Sequence, residues 1–160
     1  MSSGPYLLGI DMGTGGARAG IFTTDGDQVA SATTEWETRF PRPGRAEQSP
    51  EEWWKCIVTA VHEAVGKAQI SPEHIAGIGL DSTAATVVAV DRNNNVLRPA
   101  LLWMDVRSAE EADELVATGD EALKYSGFGP VSAEWGTPKS MWLRKHEPEV
   151  YEEAAVLADC

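Results

Sequence analysis

No lysine precedes Lys55, only two cysteines occur, and 13 lysines and arginines face 25 aspartates and glutamates. Each shortage excludes something. A Walker-type phosphate loop closes on Lys followed by Ser or Thr, so the glycine-rich start of this chain is not one. Cys56 and Cys160 lie far apart, without metal-site spacing or a disulfide framework, and point to a reducing compartment, the cytoplasm. A net charge of −12 argues against nucleic acid or an acidic membrane as partner. No basic stretch leading into an apolar run opens the sequence, no run reaches membrane-spanning length, and neither internal repeats nor low-complexity segments occur. The 42% of hydrophobic residues is enough to bury a core, as one domain or as part of a larger one.

What is present begins with the stretch from Leu7 to Phe22. An apolar run ends at Asp11, three glycines (Gly13, Gly15 and Gly16) fall within four positions, and a second apolar run closes on Asp25-Gly26. The pattern predicts a strand, a glycine-rich loop and a second strand. Glycine admits positive φ and carries no Cβ, so successive amides can converge on an anion while Thr14 adds a hydroxyl donor. A dinucleotide fingerprint is excluded: Arg18 stands where its third glycine belongs, and Ala17 to Thr24 reads as a hairpin arm rather than a helix. Two readings of these residues stand, a phosphate cradle and an ordinary tight hairpin.

Residues Gln28 to Thr38 alternate around Val29, Ala30, Ala32 and Trp36, which predicts the third strand of an antiparallel meander. Ser49-Pro50-Glu51-Glu52 provides an N-cap, a proline at the first helical position and acidic residues in the first turn. The helix predicted from about Pro50 to Lys67 buries Trp53, Trp54, Ile57, Val58, Val61 and Val65, and His62 has no partner at catalytic spacing. Ile75–Leu80 and Ala84–Val90 read as strands separated by small polar residues, which suit either an approaching ligand or a plain turn. Leu101 to Arg107 reads as an apolar strand ending in Trp103, Asp105 and Arg107, followed by a helix from about Ser108 to Ala117. Thr137 is expected to cap, and Pro138 to open, a helix carrying Met141, Trp142 and Leu143. Lys139 is read as stabilising a loop, and Arg144, Lys145 and His146 suit the helix C-terminus. A short acidic helix over Glu149–Glu153 and a strand over Ala154–Ala158 complete the pattern.

The combination Asp11-x-Gly13-Thr14-x-x-x-Arg18 followed by Asp25-Gly26 resembles the first phosphate motif of the FGGY carbohydrate kinases. The resemblance implies an α/β fold of the actin-like, ribonuclease-H-like ATPase class, with a mixed sheet opened by a three-stranded antiparallel meander and flanked by helices. It implies ATP and Mg²⁺ as cofactors. Gly13, Thr14, Gly15 and Gly16 would lie along the nucleotide phosphates, supported by Arg18. A carboxylate beside phosphates repels them unless a cation lies between, so Asp11 would hold Mg²⁺ through water.

The same resemblance places Asp81, Ser82, Thr83 and Ala84 at the border of a sugar site. Ala84-Ala85 stand where glycerol kinases have Arg-Glu and xylulokinases have Met-His, while Asp81-Ser82-Thr83 resembles ribulokinases. Trp103-x-Asp105-x-Arg107 is similar to a family segment in which Asp105 would accept hydrogen bonds from sugar hydroxyls; Trp103 is open between sugar wall and core. Ser132-x-Glu134-Trp135 again looks like ribulokinases, with Glu134 near the position of a glycerol kinase tyrosine. The expected activity is phosphorylation of a ketopentose such as ribulose at a terminal hydroxyl. The alternatives are xylulokinase or another FGGY sugar kinase and, from a different class, a non-catalytic sugar- or nucleotide-binding module. The resemblance covers essentially all 160 residues and implies the N-terminal portion of the first, sugar-binding kinase domain. No catalytic residue is assigned within the chain, because the general base and the adenosine site are expected after Cys160. The expected partner is a small sugar, with no nucleic acid and no membrane, and a full-length homodimer is compatible with this.

Overall fold

Alternation with a period of two builds the first strands. The structure is a computed structural model that describes residues 4–127 and 129–160. In β1 (Tyr6–Gly13) Tyr6, Leu8 and Met12 are buried, and in β2 (Gly16–Thr23) Ala17, Ala19 and Ile21 are. Antiparallel pairing sets Leu8 opposite Ile21 and Met12 opposite Ala17, which gathers these apolar side chains on one face. A turn at Gly26, whose φ of 95° suits glycine, leads into β3 (Gln28–Glu35), antiparallel to β2. The chain then forms β4 (Glu47–Gln48), which joins a different sheet, and returns as α1 (Pro50–Ala68). After α1, β5 (Ile75–Ser82) pairs parallel to β1, giving a mixed sheet in the order β3-β2-β1-β5.

The chain divides into two compact units, one running to Glu37 and resuming over Glu51–Thr83, the other comprising Thr38–Pro50 and Ala84–Cys160. In the first, α1 lies on the apolar face of the sheet. The Trp36 and Trp53 rings meet with centroids 6.2 Å apart, and Thr34 Oγ1 donates to the Cys56 carbonyl. The helix buries Trp53, Ala60 and Ala64, positions that recur along one stripe. Trp54, expected beside Trp53 in the core, is 68% exposed, because the next residue of a helix points about 100° away.

The second unit holds a wholly antiparallel sheet, β4-β7-β6-β8, formed with β6 (Val87–Val90), β7 (Ala100–Leu101) and β8 (Val156–Asp159). This second sheet was not legible in the sequence pattern. Its core consists of Val87, Leu101, Trp142 and Leu143, with Leu157 packed against them. Around it lie α2 (Ala109–Ala117), α3 (Gly136–His146) and α4 (Pro148–Glu153). The strand expected over Leu101–Arg107 ends at Leu101, and Trp103 to Arg107 run in turns and irregular backbone. Likewise α3 starts before Thr137, with Trp135 at the cap position and no side-chain cap, so Thr137 and Pro138 sit inside the first turn. Among the described residues no helix is long and apolar enough to cross a membrane.

The two glycines that end the hairpin between β1 and β2 differ in one testable respect. A Cβ on Gly16 would stand 2.1 Å from the Thr34 carbonyl oxygen on β3, whereas a Cβ on Gly15 would meet nothing within 4 Å. Gly16→Ala should therefore cost about 1–3 kcal/mol through forced backbone displacement, with Gly15→Ala close to neutral. Urea denaturation of both variants checks this, and equal stabilities would show that the sheet absorbs the methyl group.

Candidate functional site

In the first unit Thr14 and Gly15 form a two-residue turn, with Gly13 paired to Gly16 across it. None of the three glycines lies in the left-handed region, so positive φ is not what this loop uses glycine for. What it uses, at Gly16, is the absence of a side chain against β3. Trp36 accounts for both carbonyls of the turn: its amide donates to Gly15 O at 3.3 Å and its indole to Thr14 O at 3.0 Å. Holding these acceptors removes two groups that would repel an anion. Alternation alone assigns Trp36 no role beyond its strand.

Asp11 pairs across the sheet with Arg18 on β2 and with Asp81 on β5. Alternation places them on the face opposite Leu8 and Met12. There they line an open depression of about 560 Å³ together with Thr33 and Gly79. Arg18 donates to Asp11 at 2.9 Å in a largely solvent-exposed pair, a contact of about 0–1 kcal/mol that orients the carboxylate more than it stabilises the fold. Asp81, expected with the sugar residues, thus stands beside Asp11. Ser82 pairs with Met12 on the adjacent strand, and Thr83 ends the unit. Two solvent-reached carboxylates are oxygen donors of the kind a hard divalent cation takes while keeping its water. Among the described residues no group of three or more His, Cys, Asp or Glu converges, so the protein alone offers no closed metal cage.

The second unit holds the remaining expected residues, and it treats them differently. Asp105 is fully buried. Its Oδ2 accepts from the Ala46 amide and from Arg107 Nη2, both at 2.7 Å, and its Oδ1 accepts from the Arg107 amide at 3.0 Å and Nε at 2.9 Å. Burial opposes its ionisation, yet the Arg107 side chain and these amides outweigh burial and hold its pKa below the ordinary value. Asp105 therefore presents no free acceptor to a sugar, contrary to expectation. The signal was available: Asp105 and Arg107 stand two residues apart, within reach of each other. Arg107 continues to Glu47, which also takes Arg98, and Arg98 reaches Glu147.

Trp103 is 39% exposed, so it is not core, and its amide donates to Thr86 Oγ1. Ala84 is exposed, and Ala85 has φ of 60°. Glu134 is half-buried, with Oε2 3.5 Å from the Ser132 hydroxyl. Lys139 is fully buried, and its ammonium donates to the carbonyls of Leu102 and Glu134 at 2.6 Å and of Ala85 at 2.7 Å, with Trp103 O at 3.4 Å. It joins the very segments that carry the expected sugar residues. Burial pushes its pKa down to about 8, against the pull of Asp105, Glu134 and Asp159.

Comparison with known proteins gives the fold a family context. The profile of the FGGY family of carbohydrate kinases, N-terminal domain, matches residues 6–158. The chain is 37% identical over 140 residues to a glycerol kinase of Citrifermentans bemidjiense, an alignment covering 86% of this chain and 28% of that protein. It is 31% identical over 165 residues to a D-ribulokinase of Saccharomyces cerevisiae, covering 97% of this chain and 22% of the relative. The crystal structure of a xyloylose kinase from Brucella ovis superposes with a TM-score of 0.89 at 30% identity, over 96% of this chain and 32% of that one. The chain thus spans a third or less of the length of these relatives. Its fold is α/β, of the actin-like ATPase class found in these kinases.

The lowered pKa of Lys139 fixes the sign of a pH effect. Between about pH 8 and its ordinary value of 10.5, the unfolded chain keeps a proton that the folded chain has released. The full burial penalty is present below pH 8 and is relieved as pH rises through this window. The stability of wild type relative to Lys139→Met should therefore increase from pH 8 to 10, by up to ~1.4 kcal/mol per pH unit. Urea denaturation at four pH values tests it, and a difference that stayed constant would mean that Lys139 keeps its proton throughout.

Proposed function

The chain belongs to the FGGY family of carbohydrate kinases, and from that premise we propose that it supplies phosphate-binding and sugar-binding parts of a kinase acting on a ketopentose such as ribulose. The observation that carries the kinase reading is the Thr14–Gly15 turn with its carbonyls tied to Trp36, standing at the end of strands that set Asp11 and Asp81 side by side. Thr14, Gly15 and Gly16 would face the nucleotide phosphates, and Gly15, where a Cβ would meet nothing within 4 Å, keeps the approach clear of side chains. Asp11 and Asp81 would hold Mg²⁺, with Arg18 fixing the direction of Asp11. Mg²⁺-ATP, when bound, supplies the phosphoryl group and offsets its negative charge.

On the acceptor side, Glu134 is the carboxylate that remains available, Trp103 offers an aromatic wall, and Ala84 leaves room where bulkier residues would narrow a pocket. A five-carbon ketose presents more hydroxyls to such a carboxylate than glycerol does. Asp105, with both oxygens occupied, offers no acceptor to the sugar. Residues 1–160 form the N-terminal portion of the first kinase domain, and the general base and adenosine site lie after Cys160. The relatives named glycerol kinase, D-ribulokinase and xyloylose kinase support phosphoryl transfer to a polyol or sugar, and the choice of ribulose rests on Ala84, Ala85 and Glu134.

A full-length kinase containing this chain is assayed with ribulose, xylulose, ribitol and glycerol. Asp11→Asn should lower kcat by about two orders of magnitude or more, the scale of losing one electrostatic contributor. Glu134→Ala should reduce kcat/KM for the preferred pentulose about tenfold to a hundredfold while KM for ATP hardly changes, since one buried hydroxyl partner is lost. Glycerol as the best substrate, or an Asp11→Asn enzyme with normal kcat and Mg²⁺ dependence, would overturn the assignment.

A further inference from the structure

Resting on the assignment of sugar recognition to the second unit, we propose that Lys139 is a positioning residue for the sugar, its ammonium drawing together the three backbone segments on which the sugar-facing side chains are mounted. The three segments come from distant parts of the chain: the turn at Ala84-Ala85, the turn at Leu102-Trp103, and Glu134 just before α3. An ammonium has three hydrogens, and three carbonyls stand at 2.6–2.7 Å from Nζ: Leu102, Glu134 and Ala85. The Trp103 carbonyl, at 3.4 Å, is a longer fourth contact.

Convergent carbonyl oxygens repel one another, and a group with three hydrogens at their centre offsets that repulsion. The bonds of Lys139 go to carbonyls, while Asp105, Glu134 and Asp159 favour its charge from farther off and Arg107 opposes it. One of the three segments is also held in an uncommon conformation. Ala85, with φ of 60°, lies in the left-handed region that a residue with a Cβ enters at a cost, and its carbonyl is one of the three that Lys139 binds. A second tie points the same way: the Ser108 hydroxyl donates to the Ala133 carbonyl at 2.8 Å, beside Glu134. The side chains of Ala84, Trp103 and Glu134 take no part in the bonds that Lys139 makes, so Lys139 fixes their backbones without engaging the side chains themselves. Lys139 touches no sugar in this scheme and acts only through the main chain.

The ammonium has a further consequence for pH. A neutral amine has two hydrogens and a lone pair, so on deprotonation one carbonyl loses its donor and faces the lone pair instead. With the Lys139 pKa near 8, the frame is complete at neutral pH and loses a member above it. Ketopentoses do not ionise in that range, so any change in their binding there reports on the protein.

The test uses a full-length kinase containing this chain, with D-ribulose as the probe. Lys139→Met preserves length and apolar bulk and removes the charge. It should raise KM for ribulose tenfold or more while KM for ATP stays within about twofold, because no residue assigned to the phosphates lies in the second unit. An unchanged ribulose KM, or ribulose and ATP constants that worsen together, would overturn the proposal. If circular dichroism shows that Lys139→Met has not folded, the wild-type pH profile decides. Ribulose KM should then rise several-fold between pH 7 and 9.5 with ATP KM flat, and a flat ribulose KM overturns the proposal. Failure of the functional assignment is separately visible. Wild type would then phosphorylate no ketopentose, and the same two measurements are made with whichever polyol it accepts.

Discussion

Asp105 and Arg107 meet inside the second unit with 0% and 2% of their side chains exposed, and much of that unit is arranged to make their burial tolerable. Removing two charges from water costs several kcal/mol per ion, and their attraction offsets this only when the remaining donors and acceptors are also satisfied. Here they are. Asp105 takes four hydrogen bonds, the Arg107 guanidinium lies 4.9 Å from the Trp142 ring centroid, and its Nη2 also donates to Glu47. Glu47 in turn meets Arg98, and Arg98 meets Glu147. This chain of charges joins β4, the segment before β7, the turn after β7 and the start of α4, elements whose strands are only two residues long. Two-residue strands contribute few ladder bonds, so the ion network does the joining that a longer sheet would do elsewhere.

The first unit was legible because its determinants are local. Alternation marked β1, β2 and β3, Asp25-Gly26 marked the turn between arms, and Ser49-Pro50-Glu51-Glu52 marked the start of α1, each within a few residues. The misreadings there concern direction rather than type. Trp54 looked like core because two adjacent tryptophans were counted together, although a helix turns them apart. Clustered glycines in a hairpin suggest positive φ, whereas Gly16 is required by a carbonyl of β3, a strand 18 residues further along the chain at Thr34.

The second unit was less legible because its determinants are distant in sequence. An apolar run from Leu101 with Trp, Asp and Arg at its end has the look of a strand tip presenting polar groups. Three of the four bonds that occupy Asp105 come from Arg107, two residues on, and are legible in the spacing; the fourth, from the Ala46 amide 59 residues earlier, is not. Lys139 was read as a loop stabiliser, which is correct in kind. Its importance comes from which carbonyls it binds, and those lie 37 and 54 residues away.

Relatives of this chain carry names with different acceptors, glycerol, ribulose and xyloylose, at 30–37% identity on a shared fold. The arrangement of the second unit suggests how one frame tolerates such changes. Its ties run largely through the main chain: Lys139 to three carbonyls, Ser108 to the Ala133 carbonyl, and the Trp103 amide to Thr86. A main-chain tie is indifferent to the side chain mounted above it. The ties that Lys139 makes would therefore survive a change of side chain at Ala84 or Glu134, whereas Asp105, Arg107 and Lys139 cannot be exchanged without leaving a buried partner unsatisfied. On the proposed reading selectivity and support fall on different residues: Asp105 spends both oxygens inside the unit, whereas the half-buried Glu134 carboxylate meets the Ser132 hydroxyl at the long distance of 3.5 Å.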